Sequence, residues 1–402
     1  VARSLSLALY VHLPWCVRKC PYCDFNSHAR PAAGIPRGAY LAALVDDLAF
    51  AIRGLEGRTV TSVFFGGGTP SLFEADAIGA VLERLRAGLP VAPDLEVTLE
   101  ANPGTVERGA FASYRAAGVN RVSLGAQSFD DRQLEELGRI HSHGEIDAAV
   151  DELHAAGVDN FNLDLMYGLP AQSLEGAIAD VARAIALGPS HISHYQLTLE
   201  PGTAFERRPP VLPDDEAVFA MQCECQARLA GSGYRQYEVS AYARHGRECR
   251  HNLNYWSFGD YVGIGAGAHG KTTDLASGVV TRTERVKQPG RYMSATRPAE
   301  RVAATRVVDG ADLAFEFFLN ALRLVDGFEP SLLTTRTGLA FETVADAVTE
   351  AQNRGLLECR TDGRWAPTAR GRLFLNDLQA IFLADPGPNP AGAAGGDGRS
   401  PG

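Results

Sequence analysis

The sequence predicts an α/β fold: a partial (β/α)6 barrel followed by a smaller winged-helix-like α+β region. Two observations carry that expectation. Between residue 7 and about residue 201, six apolar strand-like runs alternate with stretches of helical period. After residue 207 the alternation stops and the pattern becomes mixed. Six β-α units imply a parallel sheet with helices outside it. Six units rather than eight suit a barrel open on one side, with chemistry gathered at the strand C-termini.

The strand candidates are Leu7–Leu13 and residues 62–65, 95–100, 121–124, 161–166 and 192–199. Between them, Leu41, Leu44, Leu48 and Ile52 form one helical stripe, and Ile78, Val81, Leu82 and Leu85 form another. The barrel is therefore expected over residues 1–207. Residues 208–305 read as an α+β extension, with a helix over 214–229 and short strands near 237–241 and 279–286. Residues 306–384 read as helices over 312–326 and 341–353, a hairpin around Thr361, Asp362 and Gly363, and a last helix over 370–382. That order resembles a winged-helix module. It has no basic stripe, so protein contact or homodimer formation is expected rather than DNA binding. The Pro/Gly-rich stretch 385–402 is expected to be disordered.

With 402 residues, 45% of them hydrophobic and 21% charged, the chain can bury a sizeable core. A net charge of −10 argues against general affinity for nucleic acid or anionic lipid. No apolar run reaches the length of a membrane span. The first apolar run passes straight into a cysteine loop without a small-residue cleavage site, so no signal peptide is expected. Clustered thiols among the seven cysteines fit a reducing compartment, and the expected localisation is cytoplasmic. Cys223 and Cys225 lie two apart in a helical pattern, where side chains do not face each other; core packing is the better reading.

The cysteine loop reads WCVRKCPYCDFNS, with Cys16, Cys20 and Cys23 spaced C-x3-C-x2-C directly after the first strand. A structural zinc site normally closes with four ligands, whereas three cysteines on a [4Fe–4S] cluster leave one iron open. On spacing alone, His12 or His28 as a fourth ligand would make a zinc knuckle, and ordinary buried thiols are the plainest alternative. Gly66, Gly67 and Gly68, then Thr69 and Pro70, follow the second strand. Three residues without Cβ let the backbone approach a ligand closely, where a simple turn needs one. Glu100 ends the third strand, Gln127 tips the fourth, and Arg139 follows in LGRIHS. Asp164 lies inside the apolar fifth strand, where a carboxylate needs a partner.

The cysteine spacing, with Tyr22 before the third cysteine, resembles the radical S-adenosylmethionine (SAM) superfamily. In order, HLPWCVRKCPYCDF, FFGGGTPSLF, SLGAQSF, NLDLMYGLP and HNLNYW resemble the oxygen-independent coproporphyrinogen III oxidase family. More narrowly they resemble its branch of radical-SAM heme chaperones, over roughly residues 7–375. The resemblance implies a [4Fe–4S] cluster on Cys16, Cys20 and Cys23, with SAM on the open iron and contacts from Tyr10, Gly67 and Glu100. Reductive cleavage of SAM in that superfamily yields a 5′-deoxyadenosyl radical. Gly68, Thr69, Gln127, Arg139 and Asp164 match oxidase positions that contact a second SAM, and whether that site is used here stays open. A reductant such as a flavodoxin or ferredoxin is implied as partner.

One departure separates the branches. The oxidases carry a further cysteine two residues after the third, and this chain has Phe25 there. The short lead into the first motif points the same way. Both favour the chaperone branch, which implies heme as the bound tetrapyrrole, residues 208–305 completing its site, and a heme-acceptor protein as partner. The alternatives are oxidative decarboxylation of coproporphyrinogen III and a zinc- or cluster-stabilised scaffold. His251, opening the aromatic HNLNYW segment after the basic-flanked stretch 244–250, is the expected heme ligand; Cys249 competes, and a structural histidine is the plain alternative.

Residues 265–272, GAGAHGKT, satisfy a Walker A pattern, and Gly263, Gly265 and Ala268 a dinucleotide fingerprint. Either needs a helix directly after the loop to hold phosphate. The residues that follow are glycine-broken and then strand-like, so a glycine-rich wall of the cofactor pocket is expected instead.

Overall fold

The structure, a computed structural model, describes residues 6–105 and 110–383. The stretch 385–402, expected to be disordered, lies outside the described residues.

Six parallel strands form the barrel wall: β1 (Leu7–Leu13), β2 (Val60–Gly67), β3 (Val91–Ala101), β4 (Arg121–Gln127), β5 (Phe161–Tyr167) and β6 (His191–Gln196). They lie in sequence order, as right-handed β-α crossovers place them. β1 is buried along nearly its whole length, because a parallel strand is covered on both faces. Helices α1 (Arg37–Ala51) and α2 (Ala75–Gly88) bury Leu44 and Leu48, and Ile78, Val81, Leu82 and Leu85, respectively, against the sheet.

The extension continues this sheet at both edges. On one side, β7 (Arg235–Glu238) and β8 (Ala241–Ala243) add antiparallel to β6. On the other, β9 (Asp260–Ile264) pairs parallel with β1, and β10 (His269–Thr273), β11 (Val280–Arg285) and β12 (Val302–Val307) follow antiparallel. The described residues thus build a twelve-stranded sheet, β12-β11-β10-β9-β1-β2-β3-β4-β5-β6-β8-β7. The sequence reading anticipated strands near 237–241 and 279–286 but not β9, β10 or β12. β9 and β10 each carry one glycine, Gly263 and Gly270, which weakens a strand pattern.

Buried ion pairs fasten the added strands. Asp47 on α1, fully enclosed, accepts from Arg285 Nε at 3.0 Å and from the Tyr292 hydroxyl at 2.8 Å. Asp260 accepts from Arg58 and from Lys271, both at 2.8 Å.

Toward the C-terminus, helices Gly310–Ala321, Pro330–Thr337 and Ala345–Asn353 precede an antiparallel hairpin of Leu357–Cys359 and Trp365–Pro367. They share a second core that includes Phe317, Phe318, Phe328, Leu333, Leu378 and Phe382. The Pro330–Thr337 helix was not anticipated; Gly338, at φ 80°, ends it in the left-handed cap only glycine adopts readily.

Candidate functional site

The β1–β2 register sets His12 beside Gly66 and Leu13 beside Gly67, so the cysteine loop leaves β1 next to the triple glycine. The glycines are sterically required. Gly67 has φ +115°, and a Cβ there would meet the His12 ring at 2.5 Å; at Gly68 it would meet the Trp15 carbonyl oxygen at 2.5 Å. The close fit is held by Gly68 N–H donating to Leu13 O and Thr69 N–H to Trp15 O, at 2.8 and 2.7 Å.

One cavity brings together Cys16, Cys20, Cys23, Gly67, Gly68, Thr69, Glu100, Gln127, Arg139 and Asp164. Every residue expected at the cluster and SAM sites except Tyr10 lines it. Burial pushes the Cys16 and Cys23 thiols up, and the neighbouring cysteines add to the shift. Arg139 donates through Nη1 to Cys20 Sγ at 3.6 Å and through Nη2 to Gly125 O at 2.8 Å, linking the loop to β4. Among the described residues, no group of three or more His, Cys, Asp or Glu converges on a single ion. A four-iron cube places each thiolate on its own iron, so its ligands stand around a volume rather than a point.

The carboxylates fit a cationic ligand. Glu100 Oε2 accepts from Gly67 N–H at 3.1 Å. Burial first, then Asp164, pushes the Glu100 carboxyl up to about 8. Asp164 is raised by burial as well, although Asn162 Nδ2 at 2.8 Å and Ser123 Oγ at 3.2 Å donate to it. Two acids forced toward neutrality in one cavity favour a ligand that brings positive charge, and SAM carries both an ammonium and a sulfonium. Gln127 has φ 71°, unusual for a residue with a Cβ, and accepts from the Tyr195 hydroxyl at 2.7 Å.

Tyr10 lines a second cavity that shares Phe25, Ser27, Gly67 and Glu100 with the first. Its hydroxyl donates to His12 Nδ1 at 3.0 Å, while His12 Nε2 donates to Asn26 O at 2.9 Å. Both imidazole nitrogens of His12 are thus engaged. Asn26 Nδ2 donates to Ala266 O and Lys287 O, each at 2.8 Å, joining the cysteine loop to the glycine-rich stretch after β9 and to the segment after β11.

The structure does not bring His251 to either cavity. It lies in helix Arg250–Trp256, is 1% exposed, stacks on Phe64 at 5.0 Å between ring centres, and bonds Ser62 Oγ through Nδ1 at 3.1 Å. Its Nε2 is buried without a hydrogen-bond partner. Glu96 on β3 fixes this helix start by accepting the Arg250 and His251 amides, both at 3.1 Å. Cys249 is fully enclosed, and burial raises its thiol to about 12. Neither residue is exposed as a metal ligand here. Glu96 was missed by sequence reading; as a charge within a strand it carried the same signal as Asp164.

The Walker-like residues form a turn and strand β10 with no helix behind them. Lys271 is buried, paired to Asp260, and lies over the Phe258 ring at 4.1 Å. It holds structure rather than phosphate.

Residues 10–182 match the radical SAM superfamily, and residues 308–374 match the HemN C-terminal domain. The structure superposes on Escherichia coli coproporphyrinogen III oxidase HemN with a TM-score of 0.78 at 22% identity, covering 94% of this chain and 90% of that one. Fold and cavity together define a radical SAM protein, a class that implies a [4Fe–4S] cluster and SAM. The chain is 47% identical to heme chaperone HemW of Escherichia coli K12, over 94% of its own length and 98% of the relative's. It is 40% identical to heme chaperone HemW of Mycobacterium tuberculosis H37Rv, over 93% and 94%. The chain belongs to the HemW family of heme chaperones. No helix among the described residues is long and apolar enough to cross a membrane.

Proposed function

We propose that this chain binds a [4Fe–4S] cluster through Cys16, Cys20 and Cys23, binds SAM beside it, and carries heme to an acceptor protein. The supporting observation is one cavity in which three thiols face the triple-glycine loop and two carboxylates driven toward neutrality. The cluster would supply one-electron chemistry at SAM, fed by a reductant such as a flavodoxin or ferredoxin. Within the chain, Gly67 and Gly68 allow close backbone approach, Glu100 and Asp164 receive positive charge, and Arg139 steadies Cys20. Gly68, Thr69, Gln127, Arg139 and Asp164 line this same cavity beside Gly67 and Glu100, within reach of one ligand or of two side by side. The chain would act as a chaperone rather than a decarboxylase because Phe25, 60% exposed, occupies the cavity rim where the oxidases carry a cysteine.

Anaerobic reconstitution with iron and sulfide, followed by spectroscopy with and without SAM and then heme, tests the reading. The expected result is an iron–sulfur signal perturbed by SAM and a Soret band that moves to an added heme acceptor. Robust conversion of coproporphyrinogen III under reducing, anaerobic conditions would favour the oxidase instead.

A further inference from the structure

The second cavity, about 750 Å³, takes in Tyr10, Gly67 and Glu100, the expected SAM contacts, and extends beyond them into space with no assigned occupant. It opens beside Gly67 and Glu100, against the cluster and SAM cavity, and its walls include Phe25, Tyr255, Tyr261, Lys19, Lys287 and His269. Aromatic faces suit a flat macrocycle, and exposed ammonium groups suit carboxylate arms.

Three imidazoles border this space, and two have ring nitrogens already engaged or enclosed. His12 has both ring nitrogens engaged, by Tyr10 and Asn26. His28 has Nε2 enclosed by protein. His269 is exposed, and its side chain has no hydrogen bond, ion pair or ring contact among the described residues. It is held by the backbone: β10 pairs it with Glu284 on β11, and its side chain lines the cavity. His251, by contrast, lies behind Phe64 and Tyr255 at 1% exposure.

We infer that His269 is the axial ligand through which heme is held in this cavity, with Lys19 and Lys287 facing its propionates. The inference rests on the heme-carrying reading above and assigns the coordinating residue. Imidazole is a common axial ligand, and an accessible ring on a rigid strand needs no rearrangement to reach an iron. The GAGAHGKT stretch thereby acquires a role: its glycines form the turn, and its histidine faces the cleft.

The test is titration of hemin into the reconstituted full chain and its variants, followed by the Soret band. His269→Ala should weaken binding by about tenfold or more and shift the band. His269→Gly should regain the wild-type band position when free imidazole is added, a readout that a merely structural role would not give. His251→Val should keep the wild-type band. Unchanged affinity and spectrum in His269→Ala, with the wild type binding heme, overturns the ligand assignment and leaves the chaperone reading intact. Loss of the band in a His251→Val variant shown folded by circular dichroism, with His269→Ala retaining it, overturns it in favour of His251. A wild type that binds no heme overturns the reading and the inference together.

Discussion

Gly67 and Glu100 meet where the two cavities join, the glycine amide donating to Glu100 Oε2 at 3.1 Å. Among the described residues a backbone N–H is the one hydrogen-bond donor to this carboxylate, which leaves its second oxygen to a ligand.

That setting makes Glu100 a source of pH-dependent instability in the ligand-free chain. Its carboxyl is raised from the ordinary 4.5 to about 8, so across that window the folded form holds a proton the unfolded chain has released. Stability from this group is full below the lower value and falls as pH rises through the upper one. Thermal melts of wild type and Glu100→Gln across the window should diverge, the variant declining less. Parallel curves would contradict the assignment.

Replacing Cys16, Cys20 or Cys23 by Ala should each remove most bound iron and sulfide after anaerobic reconstitution. Cys223→Ala, Cys225→Ala, Cys249→Ala and Cys359→Ala should retain them, since those thiols lie outside the cavity. Full iron content in Cys20→Ala would exclude it as a ligand.

His251→Ala should destabilise the fold by about 2–4 kcal/mol, because it empties a buried aromatic cage and leaves Ser62 without its partner. Denaturant unfolding measures this directly. A loss below about 0.5 kcal/mol, within the range of ordinary surface changes, would argue against a packing role.

Lys271→Met should lower stability by about 1–3 kcal/mol, because Asp260 loses one of its two cationic partners and keeps Arg58. It should leave ATP hydrolysis at background, as in the wild type. Measurable hydrolysis by the wild type that the variant lacks would restore the phosphate-binding reading.

The six barrel strands were legible because parallel strands covered on both faces read as unbroken apolar runs, as in Leu7–Leu13. The cysteine loop and triple glycine were legible because their chemistry is local in sequence. Asp47 was not: a carboxylate on an amphipathic helix reads as solvated until Arg285 and Tyr292 arrive from more than two hundred residues away. His251 misled for the same reason. HNLNYW reads as a ligand-facing aromatic segment, and only Glu96, on a distant strand, reveals that the helix start is pinned inward. His269 went unassigned because its neighbours imitate a nucleotide loop.

β1 stands at the middle of the sheet, with β2 on one flank and β9 on the other. During synthesis the first flank, starting at Val60, follows β1 closely, while the second starts only at Asp260. Until then the strand that launches the cysteine loop has an open edge, and Asn26 lacks the Ala266 and Lys287 carbonyls that hold the loop down. Contacts of such sequence separation form late. The cysteine loop thus reaches its final shape only once the strand at Asp260 and the segments around Ala266 and Lys287 have joined it.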